Sequence, residues 1–262
     1  MNITDFISKK TRNEKISVLT CYDYPSARIV AETSLDCVLV GDSLAMVVHG
    51  YDSTVMATME MMILHTKAVA RGIGKQLLIT DLPFLCHRLS QSDTINNVRQ
   101  LLQAGAQAIK IEGGDFETCQ TIALLVSAGI PIIGHIGLTP QSVLKLGGYK
   151  VQGKDDEQAS SLLLEALRLE KAGCSALVIE CVPEQLAKKI TDSLKIPTIG
   201  IGAGAATDGQ FLVWHDMLGI QQVFKPRFVK QYTDSKSMMV SAVNAYINQV
   251  GKTEFPAVEH CF

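Results

Sequence analysis

The sequence predicts an α/β protein with a single (β/α)8 TIM barrel, and three observations carry this prediction. Apolar runs rich in Val, Ile and Leu alternate with amphipathic stretches, which is typical of parallel strands covered by helices. Three of the amphipathic stretches end at a glycine, which favours the left-handed backbone after a helix: Gly105, Gly129 and Gly173. The length of 262 residues is close to the ~250 typical of this barrel. We therefore predict one catalytic domain over residues 1–262.

Eight apolar runs are predicted strands, and the eighth has the faintest pattern. They cover residues 17–20, 37–42, 77–81, 108–112, 131–135, 176–180, 198–202 and 223–228. Two connections are longer than the others, residues 44–57 after the second strand and residues 137–156 after the fifth. Both follow strand C-termini, the side on which such barrels carry their chemistry. The glycine-rich composition of the fifth loop suits either a mobile cover or an ordinary surface insertion.

The composition excludes several classes of partner. Lys and Arg total 24 against 26 Asp and Glu, for a formal charge of -2, which does not favour a nucleic acid. The N-terminal stretch lacks the apolar block of a secretory signal, and the apolar runs are too short to cross a membrane. Seven cysteines without a C-x-x-C pair predict reduced thiols rather than a zinc or redox site. We expect a cytoplasmic protein that acts on small molecules, without a nucleic-acid or membrane partner.

Ionisable side chains stand at the ends of five predicted strands, where each apolar run stops. They are Asp42, Asp81, Lys110, Glu112, His135 and Glu180. Because side chains alternate along a strand, Asp42 shares a face with Val38 and Val40. By the same rule Asp81 shares a face with Ile79. If these faces point inward, the six polar groups meet at one mouth. A structural ion pair could explain any one of them, but all six together would concentrate repelling carboxylates.

The carboxylates predict a divalent cation that would offset this repulsion. Asp42, Asp81 and Glu112 offer hard oxygen ligands, which favour Mg²⁺ completed by water and substrate, and no cysteine or histidine set points to zinc. Lys110 would add positive charge for an anionic substrate, here a carboxylate. A 2-oxo acid held by its carboxylate and carbonyl would lose electron density to the metal. The proton beside the carbonyl would then become acidic, and an enolate could form.

Glu180 is the predicted base for that proton. It stands alone on the sixth strand, with no cation predicted beside it to stabilise its ionised form. His135 is the second candidate, because it could act as the base itself or hydrogen-bond the substrate or Glu180. A single histidine in such a position is more often structural, so Glu180 ranks first.

Two further patterns have simpler explanations than a functional site. Gly200, Gly202 and Ala205 form a G-x-G-x-x-A pattern that is similar to a dinucleotide fingerprint, but the acidic residue expected ~20 positions later is missing. Small residues after a barrel strand more simply permit close packing or ligand approach. The methionines of the second loop and the following stretch predict helix packing: Met56, Met59, Met61 and Met62.

Eight segments of the chain resemble the ketopantoate hydroxymethyltransferase family, whose members are also called 3-methyl-2-oxobutanoate hydroxymethyltransferases. In order they are TCYDYPSA (20–27), VGDSLAMVVHGYDST (40–54), ITDLPF (79–84), IKIEGG (109–114), GHIGLTPQSV (134–143), GGYKVQG (147–153), LVIECVP (177–183) and IGIGAG (199–204). The resemblance implies a barrel that converts 3-methyl-2-oxobutanoate and 5,10-methylenetetrahydrofolate to 2-dehydropantoate and tetrahydrofolate. It implies one Mg²⁺ per subunit and a place in pantothenate synthesis, which supplies the precursor of coenzyme A.

The resemblance also implies roles for residues at matching positions. Asp42 and Asp81 would be metal ligands that also meet the oxo acid, and Glu112 would be a further metal-site residue. Ser43 and Lys110 would contact the substrate.

The remaining implications concern the base, the assembly and the departures from the family pattern. Glu180 would be the proton acceptor, and the protein would form a homo-oligomer, typically a ring-like decamer. The chain departs from the usual pattern at Ala45, at residues 55–57 and at Cys261. None of these positions is an assigned site residue.

Two other functions remain open at this point. The first is a Mg²⁺-dependent carbon–carbon lyase or phosphomutase of the isocitrate lyase type, which would also act on an oxo acid but would need no folate. The second is a non-catalytic barrel that binds a ligand or a partner, because a fold by itself never establishes an activity.

Overall fold

The computed structural model describes residues 1–220 and 226–262. These residues form two compact units, residues 1–212 and residues 213–262. The first unit contains eight parallel strands that close into a barrel in sequence order. The strands are β1 (Ile16–Thr20), β2 (Cys37–Val40), β3 (Leu77–Asp81), β4 (Ala108–Glu112), β5 (Ile132–Gly137), β6 (Ala176–Glu180), β7 (Thr198–Ile201) and β8 (Gly209–Leu212). The predicted (β/α)8 TIM barrel is confirmed, whereas the prediction of one catalytic domain over residues 1–262 stays a prediction.

Helices alternate with most of these strands. Those of the first unit are α1 (Ile3–Thr11), α2 (Tyr24–Ala31), α3 (Leu44–Val47), α4 (Met59–Gly72), α5 (Gln91–Gln103), α6 (Phe116–Ser127), α7 (Val143–Leu146), α8 (Asp156–Ala172) and α9 (Glu184–Ser193). The second unit contains α10 (Trp214–Met217) and α11 (Ser235–Gly251). We call residues 44–57 loop two and residues 137–156 loop five. Each carries a short 3-10 helix, Thr54–Met56 in loop two and Pro140–Ser142 in loop five.

Local sequence signals explain where the longer helices begin and end. The side chains of Ser90, Asp115 and Asp155 each accept a hydrogen bond from a backbone N–H in the first turn of α5, α6 and α8. Such caps satisfy N–H groups that have no partner inside a helix. The three glycines predicted to follow helices all have positive φ angles, which confirms these helix ends: Gly105, Gly129 and Gly173.

The eighth strand does not lie where the sequence predicts it. Residues 223–225 of the predicted run lie outside the described residues, and residues 226–228 enter a turn rather than a strand. The eighth strand is instead Gly209–Leu212, which pairs with β7 and β1. It was missed because it is short, carries an exposed Gln210, and follows β7 without an intervening helix. The G-x-G-x-x-A pattern therefore opens no helix, as a dinucleotide fingerprint would.

Side chains of the strands alternate between the barrel interior and the helices. Ile79 lines the interior, whereas the neighbouring Thr80 hydroxyl lies 3.1 Å from the Thr66 hydroxyl of α4. On β2 it is Leu39 that lines the interior. The prediction that Val38 and Val40 share a face with Asp42 is therefore wrong, because these two side chains face the helices. Asp42 reaches the mouth because it lies beyond the end of β2, where strand alternation no longer applies.

Helix α1 closes the end of the barrel opposite the strand C-termini. Phe6 is buried against interior side chains of the strands, among them Val18 and Phe211. Lys9 and Lys10 hold the helix in place through ion pairs of 2.6 Å with Asp36 and 2.9 Å with Asp208. The barrel thus has one closed apolar end, which leaves the other end for polar groups.

Three remaining expectations have separate outcomes. Of the four methionines predicted to pack, Met62 of α4 is buried, whereas Met56 is exposed in the 3-10 helix of loop two. All seven cysteines are free thiols. Among the described residues, no helix combines the length and apolar character needed to cross a membrane.

We expect Phe6→Ala to lower the free energy of unfolding by about 3 kcal/mol or more, because it removes a buried ring and leaves a cavity. The midpoint of urea unfolding, followed by circular dichroism, measures this change. Ile7→Ala is the matched control, since Ile7 lies on the same helix and is 46% exposed. An equal loss of stability in both variants would contradict the role of Phe6 in closing the barrel.

Candidate active site

The structure brings the six predicted ionisable residues together at the open mouth of the barrel. Five of them lie in strands β3 to β6, and Asp42 follows β2. The parallel register places Asp81 opposite Lys110, and Glu112 opposite His135. All but Glu180 are at most 6% exposed, and the side chain of Glu180 is 13% exposed. The sequence argument from strand ends therefore locates the cluster.

Lys110 is the cation at the centre of this cluster. Its Nζ lies 3.0 Å from Asp81 Oδ1, 3.5 Å from Glu112 Oε1 and 3.2 Å from His135 Nδ1. Burial alone would lower the pKa of Lys110, but the negative charges of Asp81, Glu112 and Asp42 outweigh it, and the pKa is raised. The ammonium group therefore stays charged at neutral pH.

Glu180 is not isolated, contrary to the expectation from the sequence. Its Oε2 lies 3.3 Å from His135 Nε2, and the other ring nitrogen of His135 lies 3.3 Å from Glu112 Oε1. Burial and the charge of Lys110 lower the pKa of His135, but Glu112 and Glu180 outweigh them and raise it. The contact was missed because it joins neighbouring strands, and the sequence does not reveal how far side chains reach across the barrel.

Asp42 and Asp81 are the carboxylates with the least compensation. Burial, followed by the charges of Asp81 and Glu112, raises the pKa of Asp42 well above its usual range. The pKa of Asp81 is also raised, chiefly by burial, although Lys110 opposes the shift. Asp81 Oδ2 accepts a hydrogen bond of 3.0 Å from the Asp42 backbone N–H, but its buried Oδ1 accepts none, because the nearby Lys110 lies at a poor angle. The positive charge of Lys110 and the hydrogen bonds to this pair therefore do not fully offset the burial of the two carboxylates.

This pair of carboxylates could hold a divalent cation. In the described part of the chain, no three His, Cys, Asp or Glu groups converge closely enough to form a metal site by themselves. Mg²⁺ does not require such a set, because it commonly binds one or two carboxylates and completes its shell with water and substrate. The buried, unbonded Asp81 Oδ1 and the neighbouring Asp42 fit this description. The role of Glu112 as a further ligand stays a prediction, because Lys110 and His135 already surround its carboxylate.

Gln141 is a member of the cluster that the sequence argument missed. It lies in the 3-10 helix of loop five and is 6% exposed. Its Nε2 donates to Asp42 Oδ2 at 2.8 Å and to the Leu82 carbonyl at 3.1 Å, and its backbone N–H donates to Glu112 Oε2 at 3.0 Å. A single residue thus joins loop five to two of the predicted metal carboxylates. The one sequence feature that could have pointed to Gln141 is its position in a long loop after the end of a strand.

The predicted substrate contact Ser43, which directly precedes loop two, lies at the same mouth. The Ser43 hydroxyl lies 2.8 Å from the hydroxyl of the buried Tyr22, which follows β1 and was not singled out by the sequence argument. Loop five meets loop two through Tyr149, whose hydroxyl donates to Met46 Sδ at 3.7 Å. The two long loops therefore meet beside the cluster.

The closed parallel barrel, with buried acids, a lysine and a histidine at the strand C-termini, is the arrangement of a (β/α)8-barrel enzyme. The family model of ketopantoate hydroxymethyltransferase matches residues 1–258. The chain belongs to this family, and it is therefore a hydroxymethyltransferase that acts on small molecules.

Curated relatives agree with this family over the full length of the chain. A 3-methyl-2-oxobutanoate hydroxymethyltransferase of Legionella pneumophila (strain Lens) is 67% identical and is covered completely, as is this chain. The enzyme of the same name from Bacillus cereus (strain AH187) is 53% identical over 99% of this chain and 93% of its own length. That from Thermoanaerobacter sp. (strain X514) is 50% identical over 97% of this chain and 92% of its own length.

Solved structures with the same barrel are more distant. Phosphonopyruvate hydrolase in complex with oxalate and Mg²⁺ has a TM-score of 0.64 at 13% identity, covering 99% of this chain and 93% of that chain. Phosphoenolpyruvate phosphomutase from Streptomyces platensis subsp. rosaceus has a TM-score of 0.65 at 13% identity, covering 97% of this chain and 88% of that chain. At this identity the similarity concerns the fold alone.

We expect Gln141→Leu to weaken Mg²⁺ binding or activity about 10- to 100-fold, as is typical when a residue that orients a metal ligand is lost. Leucine keeps the backbone N–H for Glu112 but removes the amide that holds Asp42. Calorimetry with Mg²⁺ alone and the Mg²⁺ dependence of turnover measure the effect.

The control for this variant is Gln103→Leu, at the exposed end of α5. A Gln141→Leu protein with unchanged Mg²⁺ affinity and unchanged turnover would show that the amide does not position Asp42.

Proposed function

We propose that the protein transfers a hydroxymethyl group from 5,10-methylenetetrahydrofolate to 3-methyl-2-oxobutanoate, giving 2-dehydropantoate and tetrahydrofolate in pantothenate synthesis. The observation that carries this proposal is the buried cluster of acids and Lys110 beside Glu180, in a chain that belongs to this family. The cluster offers positive charge for a carboxylate substrate and a nearby base, the two requirements for forming an enolate from an oxo acid.

The substrate would be held by the polar groups of the cluster at the mouth. Asp42 and Asp81, with Glu112 as a further ligand, would hold one Mg²⁺ per subunit. When bound, the ion would draw electron density from the oxo acid's carbonyl and so make the neighbouring C–H more acidic. Lys110 would attract the substrate carboxylate, and Ser43 would donate or accept a hydrogen bond at the rim of the site. Asp42 and Asp81 would also meet the oxo acid.

Glu180 would accept the proton from C3 of the oxo acid. Its carboxylate is the most exposed of the cluster's acids, so a substrate in the mouth can reach it. His135 Nε2 lies 3.3 Å from the same carboxylate, and the charge of a protonated ring would hold the carboxylate in position. A water molecule would supply the oxygen of the hydroxymethyl group: its addition to the methylene carbon of the folate breaks both C–N bonds, returns two N–H groups to the folate and leaves a one-carbon unit at the oxidation level of formaldehyde. C3, having lost its proton, would form the new C–C bond to that carbon, and the oxygen would take up the proton held by Glu180.

The alternative is a Mg²⁺-dependent 2-oxo-acid carbon–carbon lyase or phosphomutase of the isocitrate lyase type, which the barrel alone would allow. The chain is 50–67% identical to hydroxymethyltransferases but only 13% identical to the phosphomutase and the hydrolase. This difference favours hydroxymethyl transfer over lyase or mutase chemistry. The products distinguish the two, because a lyase would release an aldehyde or acid without a folate.

We also propose a homo-oligomer, typically a decamer in this family, and a cytoplasmic location. The exposed apolar side chains of α11 support self-association, because none of its residues is buried. They include Met238, Val243, Tyr246 and Ile247. The seven free thiols support a reducing compartment.

The proposed reaction is tested by incubating the purified protein with 3-methyl-2-oxobutanoate, Mg²⁺ and 5,10-methylenetetrahydrofolate. Mass spectrometry should detect 2-dehydropantoate that forms only when all three are present. Cleavage of the oxo acid in the absence of folate would instead support the lyase.

We expect Glu180→Gln to slow exchange of the C3 proton with deuterated water by about 10²- to 10⁴-fold, the usual contribution of a positioned base. Oxo-acid affinity should change little, because the amide keeps the shape of the side chain. Proton NMR of the oxo acid measures the exchange, and Glu184→Gln on the exposed first turn of α9 is the control. Exchange at the normal rate would move the base to His135 or to another group.

We expect Asp81→Asn to weaken Mg²⁺ binding by more than about 100-fold, beyond the usual cost of losing an orienting partner. The neutral amide removes one of the two charges proposed to hold the ion. Calorimetric titration of Mg²⁺ into the protein measures this, with Asp192→Asn on the surface of α9 as control. Equal affinities in the variant and the wild type would exclude Asp81 as a ligand.

A further inference from the structure

A second cavity lies beside the catalytic mouth, under loop five. Its volume is about 260 Å³, and it lies between the ends of β4 and β5, loop five and the first half of α8. We call it the loop-five cavity. Its lining includes Gly113, Thr139, Ser142, Lys145, Ser161 and Glu165. The cavity thus borders the strand ends that carry the candidate active site.

Consecutive residues of the chain border the two spaces at two places. Glu112 belongs to the catalytic cluster, and the next residue, Gly113, lines the cavity. In the same way Gln141 binds Asp42, and the next residue, Ser142, lines the cavity. A ligand in the cavity would therefore lie next to the oxo acid rather than at a remote surface.

The cavity side of α8 is held firmly against the strand ends. A Cβ at Gly114 would lie only 2.9 Å from the Cβ of Glu165, so the loop after β4 packs directly on this helix position. Arg168, one turn further along α8, donates from Nε to the Gly114 carbonyl at 3.1 Å. Glu165 is thus placed by packing and not by a partner of its carboxylate.

Three polar groups of the lining have unused hydrogen-bonding capacity. Across residues 1–220 and 226–262, no hydrogen bond or ion pair joins another group to the Glu165 carboxylate, the Ser161 hydroxyl or the Lys145 ammonium. Partial burial raises the pKa of Glu165, while the charges of Arg168 and Lys145 oppose the shift. A half-buried carboxylate without a partner favours a ligand that brings N–H donors.

The charge of the lining narrows the class of ligand. The lining has two acidic side chains, Glu165 and Asp115, against one basic side chain, Lys145, and this balance disfavours an anionic group such as the glutamate tail of a folate. A carboxylate pairs well with two adjacent N–H donors in one plane, because it can accept both hydrogen bonds. The volume lies just below the ~300 Å³ at which sites for drug-sized ligands begin, so it suits one ring system rather than a whole folate.

We propose that the loop-five cavity binds the pterin ring of the one-carbon donor, with Glu165 accepting hydrogen bonds from its N3–H and 2-amino groups. Lys145 or Ser161 donates to the 4-oxo group on the same edge of the ring. This assignment rests on the proposed function, since it is that reaction which requires a folate beside the oxo acid. In this site the pterin ring would be held by hydrogen bonds, because the described residues that line the cavity offer no aromatic side chain on which it could stack.

The test separates the folate step from the folate-independent step. Glu165→Gln places an amide N–H₂ against the donor edge of the pterin, so the KM for 5,10-methylenetetrahydrofolate and the Kd of tetrahydrofolate should rise about 10- to 100-fold. Exchange of the C3 proton of the oxo acid, measured without folate, should stay unchanged. Glu157→Gln, on the same helix, exposed and outside the cavity lining, is the matched control.

A competition experiment shows whether the cavity binds the pterin ring or the glutamate tail of the folate. A reduced 6-methylpterin should compete with tetrahydrofolate, and p-aminobenzoylglutamate should not. The reverse order, or folate constants in Glu165→Gln equal to those of the control, overturns the inference.

A second variant decides the outcome if Glu165→Gln also loses proton exchange. Ser161→Leu fills part of the cavity from an exposed helix position and should weaken tetrahydrofolate binding while exchange continues. Unchanged binding in that variant overturns the inference. If the wild type binds tetrahydrofolate but forms no product, the proposed function fails, and the binding measurements still decide the pterin site.

Discussion

The structure depends above all on how three buried carboxylates share a small amount of positive charge. Lys110 is the single Lys or Arg among the buried residues of the described chain, and it lies within 3.5 Å of two carboxylates. Taking such charges out of water costs several kcal/mol per ion unless they are paired. Lys110 compensates Glu112 more fully than Asp42, because the pKa of Glu112 is lowered and that of Asp42 is raised. The unbalanced charge at Asp42 and Asp81 is what makes this part of the mouth suited to a cation.

The barrel imposes this arrangement through its register and its closed apolar end. Parallel pairing sets Asp81 opposite Lys110, so the contact follows from the hydrogen-bonded ladder and not from flexible side chains. Below them, interior side chains such as Ile79 and Ile133 form an apolar layer that Phe6 closes from the other end. This apolar floor strengthens the electrostatic interactions of the cluster above it.

Most of the fold and the place of the site could be predicted from the sequence, but the contacts between side chains could not. A charged residue that ends an apolar run, such as Asp81, marks a strand C-terminus, and parallel strands bring these ends together. The eighth strand escaped prediction because four residues with an exposed Gln210 lack an apolar pattern. Asp42 arrives from beyond its strand, so strand alternation assigned the wrong face to Val38 and Val40. The contact of His135 with Glu180 depends on distances across the barrel, which a linear pattern does not contain.

Loop five explains how a common barrel can carry a particular reaction. Structures that share this barrel at 13% identity show that the scaffold alone does not select a substrate. In this chain, Gln141 of loop five hydrogen-bonds Asp42 and Glu112, and Tyr149 of the same loop contacts loop two. Ser142, the neighbour of Gln141, lines the cavity on the other side of the loop. A change in the position of this short helical segment must therefore alter the acidic cluster and the adjacent cavity together, which would couple the two halves of the proposed two-substrate reaction through one backbone.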